Sequence, residues 1–115
     1  MGASYRVKIR AGSKVENERY DDLDSALTAI ESRGGELARE SRTDAVGGGL
    51  MRRIEPVQQV IARIQLAGPG GLRAGVDVRG DGSAEAWTGW LRRRVVDQQA
   101  GESPYDALRR TARPD

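Results

Sequence analysis

Arginine supplies most of the chemistry this chain has to offer. Arg63, Arg73, Arg79, Arg92 and Arg94 fall, together with Trp90, on what residue alternation makes one face of a β-sheet. Arg6, Lys8 and Arg10 join that face from an N-terminal strand, and Asp77 is its clear acidic member. Guanidinium groups pair with phosphates, and an indole among them offers a surface on which a base can stack. Readers of nucleic acid combine these two properties. The competing explanation is plainer: an open sheet face needs polar side chains whether or not anything binds there.

Other chemistries have less support. The chain has no histidine and no cysteine. It therefore lacks the usual general base, the commonest transition-metal ligand, a thiol nucleophile and any disulfide or zinc–thiolate site. A nucleophile would have to be Ser, Thr, Tyr or Lys, or carboxylates would have to act. Asp77 and Glu85 can approach one another across a hairpin, but the pairing pattern gathers no pocket around them. The run from Asp77 through Asp81 and Gly82 echoes a calcium loop. Arg79 stands at its third position, however, and Thr88 at its twelfth, where a bidentate carboxylate belongs. Gly47-Gly48-Gly49 precedes a strand rather than a helix and is not followed by Gly-Lys-Ser/Thr, so it does not read as a phosphate loop. No catalytic residue, metal site or cofactor is expected, and the chain reads as non-enzymatic.

The arginine face depends on strands to build it. From Leu72 to Arg79 the residues alternate, with Leu72, Ala74, Val76 and Val78 on one side and Arg73, Gly75, Asp77 and Arg79 on the other. Asp81-Gly82 predicts a two-residue hairpin turn, followed by a return strand from Ala84 to about Val96. That register sets Arg79 opposite Ala84, Val76 opposite Trp87 and Arg73 opposite Trp90. A three-residue loop would instead put Asp77 directly opposite Glu85, a repulsive pair, so the two-residue loop is preferred. Trp87 then belongs to the core, and Trp90 lies outside among Arg73, Arg92 and Arg94. Upstream, Ile54 to Leu66 predicts a further strand with Val60, Ala62, Ile64 and Leu66 on one side. Its first half is disturbed by Pro56.

The N-terminal part reads as two strands, Ser4 to Arg10 and Lys14 to Tyr20, and then a helix capped by Asp22 or Asp24. Leu23, Ala26, Leu27 and Ile30 give that helix its apolar stripe. Gly34-Gly35 either ends it near Arg33 or leaves it weakened to about Glu40. A flexible loop is expected over about 41–50. Ser103 followed by Pro104 opens a last helix to about Ala112, with Tyr105 and Leu108 facing inward, and 113–115 fray. The order ββα-βββα predicts an α+β fold: a two-layer sandwich of mostly antiparallel sheet with two helices on one face, forming one domain over 1–115.

Composition sets the remaining bounds. Of 115 residues 37% are apolar and none is Phe, so the core is thin and aliphatic, and association would enlarge it. Nineteen basic residues against seventeen acidic ones leave a net charge of only +2, a small general attraction for a polyanion. There is no apolar run of membrane-spanning length and no signal-peptide core, which predicts a soluble, cytoplasmic protein. The functional expectation is a small interaction module that forms a homo-oligomer or binds another protein. The alternative is an RNA- or DNA-binding module using the arginine face around Trp90. No residue motif assigns the chain to a family.

Overall fold

The computed structural model describes residues 4–47, 59–89 and 92–112. The elements run β1 (Tyr5–Ala11), β2 (Lys14–Tyr20), α1 (Leu23–Gly47), β3 (Val60–Gly68), β4 (Leu72–Arg79), β5 (Ala84–Thr88), β6 (Arg94–Val95) and α2 (Pro104–Ala112). The six strands form one antiparallel sheet in the order β2-β1-β3-β4-β5-β6. This is the α+β class that the sequence predicts. No helix among the described residues is long and apolar enough to cross a membrane.

Alternation places the core. Val7, Ile9, Ala62, Ile64, Leu66, Ala74, Val76, Val78 and Ala86 are buried on one side of the sheet. They form a single cluster with Ala26, Leu27, Ile30, Leu37 and Ala38 of α1 and Leu108 and Ala112 of α2. Val60 departs from its predicted side. The ladder shifts register between Val60 and Ala62, and this bulge at Ile61 leaves Val60 exposed.

Asp22 caps α1, its Oδ1 accepting from the Ser25 backbone N–H at 2.7 Å. The helix does not stop near Arg33 or Glu40. It runs through Gly34-Gly35 to Gly47, so the 41–47 part of the expected loop is helical. Packing explains its passage through two glycines. A Cβ at Gly34 would fall on the ring and hydroxyl of Tyr105, 2.7 Å from Cζ. Glycine in mid-helix costs about 1 kcal/mol relative to alanine, and here it lets α2 lie close against α1. Arg109 of α2 reinforces the contact by pairing with Glu31 of α1 at 2.7 Å. The rest of the expected loop, the first half of the predicted Ile54–Leu66 strand, Trp90 and the 113–115 tail lie outside the described residues.

The hairpin overturns the preferred register. Asp77 stands opposite Glu85, Val76 opposite Ala86 and Gly75 opposite Trp87. The loop has three residues: Arg79 N–H donates to Ser83 O at 2.8 Å, and Gly82 takes φ +89°. Asp81 Oδ1 accepts from both the N–H and the hydroxyl of Ser83, and these two bonds hold its carboxyl below the ordinary range. The repulsion between Asp77 and Glu85 is offset because each has its own arginine: Arg63 Nε donates to Asp77 at 2.9 Å, and Arg79 Nη2 to Glu85 at 2.7 Å. The two-residue turn would have put Glu85 on the helix side, against Val78.

The return strand is also shorter than predicted. β5 ends at Thr88, and Gly89 adopts φ +79°. The chain then comes back as β6, antiparallel to β5, with Val95 opposite Trp87 and Arg94 opposite Thr88. Arg92 and Arg94 therefore do not continue the strand that carries Trp87.

At α2, Ser103 Oγ accepts from the Asp106 N–H at 3.0 Å while Asp106 Oδ2 accepts from the Ser103 N–H at 3.1 Å, a reciprocal cap. Glu102, just before it, takes hydrogen bonds from Arg110 and from the Gln99 N–H. Arg110 first, and the Gln99 N–H second, hold its carboxyl down from the ordinary 4.5 to about 2.

The helix contact and the Glu102 carboxyl can each be tested. Gly34→Ala should lower stability by about 1–3 kcal/mol, overpacking outweighing the gain in helix propensity. Tyr105→Phe in that background should recover part of the deficit, and urea denaturation of the single and double variants reads both effects. The depressed carboxyl of Glu102 stabilises the fold at pH above 4.5, and that contribution disappears as pH falls toward about 2. Glu102→Gln should therefore lower the melting temperature at neutral pH, and its gap from the wild type should close across that acid interval.

Candidate functional site

The face of the sheet away from the helices is built in rows, because residues paired across neighbouring strands point the same way. One row runs Arg19, Arg6, Ala67, Arg73 across β2, β1, β3 and β4. The next runs Asn17, Lys8, Gln65, Gly75, Trp87, and a third runs Val15, Arg10, Arg63, Asp77, Glu85. Rows lie roughly 7 Å apart, two residues along a strand.

Charge is segregated within these rows. Both carboxylates, Asp77 and Glu85, sit at the β4–β5 end. β2 carries Glu16 and Glu18 on its other side, where Glu16 pairs with Arg33 of α1 at 2.8 Å. The Tyr20 hydroxyl donates to Glu18 there, and that bond is the main reason its pKa rises to about 12. The β2–β1 end of the outer face is left with Arg19, Arg6, Lys8 and Arg10, and no carboxylate of the described residues pairs with any of them. Arg6 stands directly opposite Arg19, and Arg10 directly opposite Arg63. Like charges so placed are destabilising by a few tenths of a kcal/mol to about 1 kcal/mol per pair.

The β4–β5 end is locked together instead. Asp77 accepts from Arg63 Nε at 2.9 Å, from Arg63 Nη2 at 3.3 Å and from Trp87 Nε1 at 3.0 Å, and the Arg93 guanidinium lies 3.6 Å away. Arg93 also sits 5.0 Å from the centroid of the Trp87 ring. The ring covers Gly75 in the next strand, where a Cβ would lie 2.8 Å from Cη2. Trp87 is thus 3% exposed, as expected of a buried residue, but on the face opposite the helices rather than in the apolar core. Its ring is not available for stacking on a base.

The predicted site residues are therefore dispersed. Arg63 is bound to Asp77, and Arg79 is paired with Glu85 near the hairpin tip. Arg73 remains on the row with Arg6, one of its nitrogens donating to Leu72 O at 2.7 Å. Arg92 and Arg94 are exposed on the returning segment rather than on β5. Trp90, the expected stacking residue, lies outside the described residues. The sequence pattern gave no place to Arg19, Asn17 or Arg93. Arg19 and Asn17 were legible in the alternation of Lys14–Tyr20, where acids occupy one parity and neutral or basic residues the other. Arg93 was not, because its position follows from the reversal at Gly89.

Between the first two rows is a depression of about 320 Å³, lined by Arg6, Val7, Lys8, Asn17, Gln65, Ala67 and Arg73. It lies at the small end of the range for ligand sites. Its lining offers cationic donors beside two carboxamides, which both donate and accept. Such a lining can hold an anion and hydrogen-bond a polar group next to it.

Comparison with protein-family models, with curated proteins and with solved structures finds no match.

The Asp77 cluster leads to a stability prediction. Asp77→Asn keeps the shape but removes the charge that Arg63, Arg93 and Trp87 face. It should cost about 1.5–3 kcal/mol, the range for hydrogen bonds to a charged group. Urea denaturation checks this, with Trp fluorescence reporting the loosened ring.

Proposed function

We propose that this protein binds nucleic acid through the open face of its sheet, using phosphate contacts from Arg6, Lys8, Arg10 and Arg19. The observation that carries this reading is the gathering of these cations, two of them directly opposed, at an end of the face that holds no carboxylate among the described residues. Repulsion of that kind is relieved by a polyanion, which releases counterions as it binds. The net charge of +2 does not weigh against this, because among the described residues the acids of β2 face the helix side and Asp77 and Glu85 sit at the β4–β5 end.

Self-association has less in its favour. The β2 edge carries Lys14, Glu16, Glu18 and Arg19, and β6 is two residues long; charged or very short strands blunt an edge against pairing. The cationic face would repel the same face of a second copy. Among the described residues the exposed large hydrophobics, Val15, Val60 and Val95, stand on three different strands. Asp77 and Glu85 serve as partners for arginines, so the reading remains a non-enzymatic binding module.

The test is a titration of labelled RNA and DNA with the protein at low and at physiological salt, read by fluorescence anisotropy. Affinity should fall steeply with salt. Arg6→Ala with Arg10→Ala should weaken binding and make the salt dependence shallower, by roughly 0.7–0.9 for each phosphate no longer neutralised. Arg79→Ala, which removes an arginine already paired with Glu85, should change binding far less. Absence of binding at low salt would refute the proposal.

A further inference from the structure

We infer that the depression beside Arg6 and Lys8 is a subsite for one nucleotide of a single strand, and this deepens the reading above and rests on it. Ala67 is the residue that opens it. It lies between Arg6 and Arg73 in register and is 5% exposed. Its methyl group leaves a gap where a larger residue would close the row. The floor of the gap is apolar, and its walls are cationic. In the adjoining row Lys8 is flanked by the carboxamides of Asn17 and Gln65, one on each neighbouring strand.

A site for phosphate alone needs donors only. Carboxamides add acceptors, and a paired donor and acceptor match the edge of a base. Arg6 and Lys8, two residues apart on β1, bracket a phosphate. Ala67 supports the face of the base, with Arg73 closing the far side, and Gln65 and Asn17 reach its edge. The volume of about 320 Å³ admits one nucleotide and not a helix. Bases splayed from a single strand can lie on an open sheet face. Cations at Arg6, Lys8 and Arg10 recur roughly every 7 Å along β1, which lets an extended backbone follow that strand with its phosphates in step.

The experiment uses variants that leave the charge unchanged. Ala67→Leu fills the gap, and Gln65→Ala removes one base contact. Each is titrated with short labelled homopolymer RNAs and with a duplex of equal length, and thermal unfolding verifies the fold. Both variants should bind single strands roughly tenfold or more weakly, the size of one bidentate contact to a base edge, while keeping the salt dependence and the duplex affinity of the wild type. Gln65→Ala should also narrow the differences between homopolymers. If Ala67→Leu fails to fold, Gln65→Ala alone decides. Unchanged single-strand affinity in the folded variants, with Arg6→Ala still weakening binding, would overturn the subsite and leave the phosphate-binding face standing. Failure of the wild type to bind any nucleic acid would overturn both.

Discussion

A carboxylate taken out of water must find donors or lose its charge, and the arrangement of this sheet follows from how Asp77 finds them. Its side chain is 12% exposed and accepts from Arg63 on β3 and from Trp87 on β5, with Arg93 close by. Three strands are thereby tied at one point. The indole is drawn over Gly75, and Arg93 is held above the ring, where the chain folds back as β6. The same bonds decide the hairpin register. With Asp77 and Glu85 each neutralised by an arginine, their opposition is tolerable, and Ala84 and Ala86 are free to face the helices.

This cluster also shapes the surface where function is proposed. It takes Arg63, Arg79 and Arg93 into ion pairs at one end of the outer face. The cations at the other end, Arg6, Lys8, Arg10 and Arg19, have no such acids beside them among the described residues, because the acids of β2 point toward α1. One end of the face is thus internally compensated, and the other is positively charged. The depression over Ala67 opens beside Arg6 and Lys8, and its lining stops one strand short of Trp87.

Much of this was legible from the chain alone. Strict alternation in Tyr5–Ala11 and Leu72–Arg79 marks the strands and their inner residues, and Asp22 and Ser103 mark the helix starts. The face bearing Arg6, Lys8, Arg10, Arg63 and Arg73 follows from the same parity. What was not legible depends on partners distant in sequence. The hairpin register turns on Arg63, fourteen residues before Asp77, so a rule about opposed charges taken pairwise misleads. The continuation of α1 through Gly34 depends on Tyr105, which packs from the other end of the chain. At the reversal after Thr88 Gly89 takes a positive φ, and the return strand moves Arg92 and Arg94 off the strand to which alternation assigned them.

The most direct test of nucleic-acid binding at this face is to locate the ligand residue by residue, with an NMR titration of the isotopically labelled protein against single-stranded RNA. Amide and side-chain shifts should concentrate at Arg6, Lys8, Asn17 and Gln65 and fade toward the Asp77 end and the helices. Shifts centred instead on the residues of α1 and α2, or no shifts at low salt, would contradict it.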